Sequence, residues 1–386
     1  REALYSNETA DNNTAVGNSA LKANTTGASN VGVGFCSLVD NTTGANNTAV
    51  GCDALANNTT AGANTAVGRN SLRDNTTGSD NTAIGESSLR ENETGCCNAV
   101  LGENAMTLNT SGCYNTSIGS FSLHNNTTAN ENTAVGYSSL CSNTTGAENT
   151  AIGSYALDAN TTGAKNTAVG RNAGSAITTG TFNDIFGRAA GFALTTGDYN
   201  VAVGSTALAN LTTTDSNVAV GHAALNTVVT GAQNTAVGTC ALYTTTASCN
   251  TGIGYQALKA TTTGNSNTSV GRNSTSNNTT GTANTAVGFC SLGGNTTGDN
   301  NTAIGYNAMY EGTTTGDFNT MVGVSSGRKM TSGTQNTASG VNSMESNTTG
   351  LGNVAMGMSA LAANTTANYN VAIGSSALLD NTTGTQ

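Results

Sequence analysis

Cysteine and histidine are the residue types in this chain with the richest chemistry, and their spacing limits what they can do. The sequence has nine cysteines and two histidines, His124 and His222. Neither histidine has cysteines or carboxylates at the spacing of a metal site or a catalytic centre. The sequence also has no P-loop, nucleophile elbow or GGxGxD calcium repeat. We therefore predict no catalytic, cofactor-binding or metal-binding residues, and a protein that is not an enzyme.

Asparagine supplies a second kind of chemistry, because Asn-x-Thr and Asn-x-Ser are acceptors of N-linked glycans in secreted eukaryotic proteins. The motif recurs along the whole chain at a regular spacing. The representative candidate glycosylation sites are Asn24, Asn41, Asn58, Asn75, Asn143 and Asn160. Their regular spacing leaves a second interpretation, in which these asparagines are structural.

The elements that position these residues follow from a glycine that recurs from Gly17 to Gly374 at a nearly constant interval, with one shortened and one lengthened step. The repeating unit is close to N-T-A-V-G-x-x-A-L-x-x-N-T-T-G-x-x and occurs in 22 copies. Such a period is typical of a solenoid, and glycines with β-branched residues disfavour helix. We predict an all-β fold, a parallel β-solenoid of 22 stacked coils of about 17 residues each. It forms one continuous array over residues 1–386, with no caps and no separate domain.

Positions within a coil are numbered here as offsets from the repeating glycine. The T-A-V segment predicts a short strand, and the glycine predicts a bend that needs positive φ or close backbone approach. We expect the apolar offsets −1 and +4, for example Val16 and Leu21, to point inward, and offsets +1 and +5 to point outward. Offsets −2 and +3 are almost always small. Small residues fit either a tight corner or lateral contact with another chain.

Two asparagine columns are predicted to be structural. Offset −4 is asparagine in every copy, beginning with Asn13, Asn30, Asn47, Asn64, Asn81 and Asn98. We expect it to adopt a left-handed turn and to bond the adjacent backbone. At offset +7, Ile177, Leu194 and Val228 replace asparagine in register, which favours a sheltered position. Stacked amides there can bond to the copies above and below, as in cross-β ladders, although dense glycosylation stays open.

The cysteines can now be placed on the coils. Cys36 and Cys52, like Cys97 and Cys113, are separated by one position less than the repeat period, which makes them diagonal neighbours on successive coils. That separation suits a disulfide in an oxidising compartment. Cys96 also stacks in register with Cys113, so the second pairing is ambiguous. Free thiols on a tolerant face are an equally good interpretation.

Composition excludes several classes of partner. Charged residues make up 9% of the chain and the formal net charge is −10, which disfavours nucleic acid. No apolar run approaches the length of a membrane span. We expect an extracellular location or one on the surface of a cell or virion. Arg1 and Gln386 cut the repeat at nearly the same phase, which suggests a mature or excerpted chain and head-to-tail stacking into a filament.

The A-[VI]-G-x-x-[AS]-L core resembles the head repeats of trimeric autotransporter adhesins, and it is similar to repeats in phage and virus tail-fibre-like proteins. The resemblance covers the whole chain and implies a stacked β-roll, trimeric assembly and a surface receptor or glycan as partner. The coils of the adhesin heads are shorter than the repeating unit of this chain.

Three functions are compatible with these features. The first is an extracellular structural fibre whose partner is the protein itself, head-to-tail and also lateral or trimeric. The second is an adhesin head or receptor-binding module, for which breaks in the repeat at Gly174–Gly191 and Val324–Met330 are candidate sites. The third is an ice-binding solenoid. The paired threonines at offsets +8 and +9 weaken it, because neighbouring residues in a strand point to opposite faces.

Overall fold

The computed structural model describes residues 1–384, which form short strands and turns and no helix. Each strand has three residues, because offsets −3 to −1 are the β-branched part of the repeat and the glycine at offset 0 ends the extended segment. The strands are β1 Thr14–Val16, β2 Val31–Val33, β3 Thr48–Val50, β4 Thr65–Val67, β5 Thr82–Ile84, β6 Ala99–Leu101, β7 Thr116–Ile118, β8 Thr133–Val135, β9 Thr150–Ile152, β10 Thr167–Val169, β11 Asp184–Phe186, β12 Val201–Val203, β13 Val218–Val220, β14 Thr235–Val237, β15 Thr251–Ile253, β16 Thr268–Val270, β17 Thr285–Val287, β18 Thr302–Ile304, β19 Thr320–Val322, β20 Thr337–Ser339, β21 Val354–Met356 and β22 Val371–Ile373.

The chain forms two compact units, Arg1–Asp198 and the residues from Tyr199 onward. In the first unit, the successive strands from β1 to β11 pair in parallel with their neighbours within this unit, and residues at the same offset face each other. In the second unit, β12 to β22 do the same. The predicted parallel β-solenoid is therefore confirmed. The continuity of one array over residues 1–386 stays a prediction.

The irregular steps do not disturb strand pairing in the second unit. Thr235 pairs with Thr251, although their coil has lost one residue. Thr302 pairs with Thr320, although their coil has gained one. In the lengthened coil Thr314 bridges Asn295 on the preceding coil, and the extra residue falls in the stretch before it, where Tyr310, Glu311 and Thr313 are exposed. Strand register is thus set by the T-A-V segment and its glycine, while the turns absorb changes in length.

The interior of each coil is narrow and is filled by small residues and, in most coils, one leucine or methionine. Offset −2 is buried in all strands except β1, where Ala15 is half-buried. Leu21 at offset +4 has no exposed surface, as predicted. The prediction for offset −1 was wrong, because Val16 is 58% exposed and this column points outward throughout. A three-residue strand has one inward position, and the middle alanine occupies it.

The repeating glycine is required for both of the predicted reasons, a positive φ and a close approach of the backbone. Gly34 has a φ of +144°, a conformation that other residues rarely adopt. A Cβ on Gly34 would lie 2.2 Å from the carbonyl oxygen of Gly51 on the next coil. The bend therefore brings successive backbones into direct contact, and no side chain fits between them.

Left-handed backbone recurs at offsets −5, +2 and +4. In one coil these positions are Asn12, Ser19 and Leu21, with φ values of +62°, +59° and +52°. The asparagine at offset −4 is not among these positive-φ residues, so the expectation that it adopts the left-handed turn was wrong. The turn belongs to the residue before it. Leucine at offset +4 tolerates this conformation because its Cβ is unbranched.

Candidate functional site

The asparagines at offset +7 form a buried ladder. The side-chain amide of Asn58 donates to Asn41 Oδ1 on the preceding coil at 2.8 Å and to the carbonyl of Ala61 in its own turn at 3.0 Å. In the first unit the same pattern runs without a break from Asn7 to Asn160. Each amide therefore ties its coil to the previous one and closes its own turn. The asparagine ladder predicted from the sequence is confirmed.

The same burial bears on the candidate glycosylation sites. Asn24, Asn41, Asn58, Asn75, Asn143 and Asn160 have no exposed surface. Their Nδ2 atoms, where a glycan would be attached, each donate two hydrogen bonds inside the coil. A glycan would replace one of the two N–H groups and would need space that these fully buried side chains do not have. The structure therefore favours the ladder over glycosylation at these positions.

The offset −4 asparagines form a second ladder, which includes Asn13, Asn30, Asn47, Asn64, Asn81 and Asn98. Asn30 Oδ1 accepts the backbone N–H of Asn47 on the next coil at 2.9 Å. Its Nδ2 donates to the carbonyl of Gly44 at 2.8 Å, which joins the two ends of one coil. A carboxamide is needed for both contacts, because the same side chain must accept from the next coil through its oxygen and donate within its own coil through its nitrogen. The predicted structural role of this column is confirmed.

The breaks in the repeat at Gly174–Gly191 are sites of core exchange. Gly174 replaces the offset +4 leucine and keeps its left-handed φ, at +57°. A Cβ on Gly174 would lie 2.9 Å from Ile177 Cδ1, because Ile177 at offset +7 fills the vacated space. At Gly327 the equivalent space is filled by Met321, whose Sδ would lie 2.7 Å from an added Cβ. The lost leucine is thus replaced from another offset of the coil.

The charged residues near Val324–Met330 form a column of ion pairs. Arg328 contacts Glu311 at 3.0 Å and Glu345 at 2.5 Å, on the coils before and after it. A half-exposed network of this kind contributes little to stability. These contacts engage the two terminal nitrogens of Arg328, whereas its buried Nε has no hydrogen-bond partner among the described residues.

The lengthened coil of the second unit creates an open groove. Its volume is about 380 Å³, and its lining includes Tyr310, Glu311, Gly312 and Thr313 from the lengthened coil. Across from them lie Asn277 and Thr296. The groove carries a single carboxylate, and within residues 1–384 no group of three histidine, cysteine or acidic side chains is placed to bind a metal.

The cysteines are free thiols, and two of them are in contact. Cys96 and Cys113 occupy offset −6 on successive coils, with their Sγ atoms 2.8 Å apart. The hydrogen bond that the Cys96 thiol donates to Cys113, followed by partial burial, raises the pKa of Cys96 to about 12. The structure thus brings Cys96 beside Cys113, which is the alternative to the predicted pairing of Cys97 with Cys113. The pairing of Cys36 with Cys52 stays a prediction; Cys52 is exposed and its thiol donates to Asp53 at 3.3 Å.

The outward side of the strands forms a surface that we call the Thr–Val face, made of offsets −3 and −1 of each strand. Every such position among the described strands is half-buried or exposed. Most are threonine at offset −3 and valine or isoleucine at offset −1, and Asp184 is the one charged residue among them. Sequence reasoning missed this face because it assigned offset −1 to the core. The uniformly small residues at offset −2 were the signal that could have located it.

Comparison with known proteins gives no matching family or curated relative from which the repeat could be interpreted. Within the described residues there is no helix that could cross a membrane. The likeness to autotransporter adhesin heads and tail-fibre-like proteins therefore depends on the repeat motif alone.

Proposed function

We propose that this protein is a structural subunit of an extracellular fibre or filament. The observation that carries the proposal is the coincidence of three ladders on the same coils. Parallel strand pairing, the offset +7 amides and the offset −4 amides all join the same neighbouring coils, as between the coils of Asn41 and Asn58. The two amide columns lie side by side, since Asn47 and Asn58 both donate to the carbonyl of Ala61, at 2.9 and 3.0 Å.

A fibre gains from this arrangement because the bonds lie along the direction of stacking. A buried neutral hydrogen bond contributes about 1 kcal/mol net, and breaking one partner of it costs more. Where strand pairing and both asparagine columns are present, as between the coils of Asn41 and Asn58, a force along the stack must break several such bonds. Threonine hydroxyls at offset +8 add to them: Thr42 Oγ1 donates to the carbonyl of Thr59 on the next coil at 3.0 Å.

Electron microscopy of the purified chain tests this proposal. We expect long fibres of uniform width that persist in denaturant. Discrete particles about one chain long, at high protein concentration and under conditions where the fold is intact by circular dichroism, would contradict it.

An adhesin head or receptor-binding module is the second candidate, and one surface feature of the second unit favours it. Arg272 lies between the rings of Tyr255 and Phe289, 5.7 and 5.6 Å from their centroids. Phe289 stacks on Tyr306 at 5.2 Å. Exposed aromatic and arginine side chains are enriched at recognition surfaces. Discrete particles that bind a cell surface or glycan array, with binding lost in Tyr306→Ala, would support this function over the fibre.

A further inference from the structure

The Thr–Val face has a composition that is unusual for an exposed sheet. In the first unit its outward apolar side chains include Ile84, Leu101, Ile118 and Ile152, which are 38%, 47%, 39% and 40% exposed. The chain has a net charge of −10, yet this face has the single charge of Asp184. Monomers rarely expose contiguous apolar patches larger than a few hundred Å², and such patches mark interaction sites.

We propose that the Thr–Val face is the contact surface for a second copy of this chain, with two faces packed against each other. The proposal replaces the lateral contact suggested by the small residues at offsets −2 and +3. Those residues are buried within a single chain, for example Ala49 and Ala54 with no exposed surface. They therefore serve the tight interior, whereas the exposed column at offset −1 lies beside them.

The repeat distance selects a second copy as the partner. Outward residues recur at about 4.8 Å from coil to coil and about 7 Å within a strand. A partner that fits one coil fits all of them only if it has the same repeat. A second copy has that repeat by construction, and its valine column can pack against the threonine methyls and valines of the first.

Size and charge agree with this partner. Eleven strands at about 4.8 Å and a width of about 10 Å give about 500 Å² of face for one unit. Two such faces bury about 1,000 Å² in total, which reaches the lower range of specific interfaces. Two copies of an acidic chain repel each other least through the face that has almost no charge.

Matched lysine variants test the proposal. The test variant is the full chain with Ile84→Lys and Ile118→Lys, in the middle of the face of the first unit. The control has Thr94→Lys and Thr128→Lys, which place the same charge on the same two coils at the exposed offset +9. All four side chains are exposed, so circular dichroism and thermal unfolding should match the natural chain.

Sedimentation then gives the particle mass. We expect an even multiple of 38.2 kDa for the natural chain and the control, and half that mass for the test variant. Where fibres form, the test variant should halve their width and leave their formation unchanged, which separates this proposal from the fibre itself. If the natural chain stays monomeric at a concentration about 100 times a micromolar dissociation constant for the dimer, the proposal is overturned.

Two further outcomes also decide against a second copy. Equal loss of mass in the control would show a general charge effect. A monomeric natural chain with thermal hysteresis that disappears in the test variant would assign the face to ice instead. That result fits the geometry, because offsets −3 and −1 project from the same side of the strand.

Discussion

Replacing one ladder asparagine with valine should destabilise the chain by an amount set by its place in the ladder. Asn75 lies in the middle: its amide donates to Asn58 at 3.0 Å and to Gly78 at 2.9 Å, and its oxygen accepts from Asn92 at 2.8 Å. Asn75→Val removes three bonds and leaves Asn58 Oδ1 without its partner, whereas the carbonyl of Gly78 keeps a bond from Asn64 at 3.0 Å and the amide of Asn92 keeps one to Gly95 at 2.9 Å. Each bond contributes about 1 kcal/mol, and the added desolvation cost is offset by burial of the valine, so the free energy of unfolding should fall by about 3 kcal/mol.

Asn160→Val is the matched control at the end of the same ladder. Asn160 makes two bonds, to Asn143 at 2.8 Å and Gly163 at 2.9 Å, and its Oδ1 has no partner among the described residues. The next coil has Ile177 at this offset. Valine there removes a buried unpaired oxygen and extends an apolar column. We therefore expect a loss of about 1 kcal/mol.

Hydrogen exchange on the intact chain measures both changes locally, which avoids assuming two-state unfolding of a repeat array. The difference of about 2 kcal/mol corresponds to a roughly 30-fold difference in the equilibrium constant for local opening, compared between peptides around residues 70–80 in Asn75→Val and around residues 155–165 in Asn160→Val. Equal protection in the two variants would refute the reasoning, since it would mean that the bond from Asn92 to the oxygen of Asn75, which has no counterpart at Asn160, contributes nothing.

Two other perturbations test the bend and the thiols. Gly85→Ala should lower thermal stability much more than Gly374→Ala. A Cβ on Gly85 would lie 2.5 Å from the next coil, whereas a Cβ on Gly374 would have no neighbouring atom within 4 Å. Similar melting temperatures for the two variants would contradict this. Oxidised glutathione should accept the electrons of two thiols and yield a Cys96–Cys113 disulfide in peptide maps, and a Cys97–Cys113 product would be the contrary result. The pKa of Cys96 is raised from 9.0 to about 12, so the contribution of this thiol to the stability of the fold is present below pH 9 and is lost as the pH rises towards 12. Cys113→Ala removes the hydrogen bond that raises this pKa and should therefore speed alkylation of Cys96 at pH 9.

The sequence determined the fold well because its strongest signals are local and repeated. The glycine period and the asparagine at offset −4 each correspond to one contact that recurs on every coil, as at Gly34 and Asn30. In-register replacement of Asn by Ile177 identified the offset +7 ladder as interior, and the structure confirms it.

The direction of the valine column could not be obtained in the same way. Hydrophobicity alone places Val16 inside, but the interior width is set by how closely the backbones approach, and this depends on the completed coil. Only a residue as small as Ala49 fits the inward position of the strand. The side chain that looked most like core therefore became the surface, and with it the candidate contact face.

The irregular coils of the second unit have a consequence for how such a protein can evolve. A lost residue between Thr235 and Thr251, or a gained one between Thr302 and Thr320, leaves the pairing on both sides intact. Recombination between misaligned copies of the gene would then add or delete whole coils, and small slippages would be tolerated in the turns. The length of the molecule can therefore drift between lineages as a nearly neutral trait, while the contacts made by each coil stay the same.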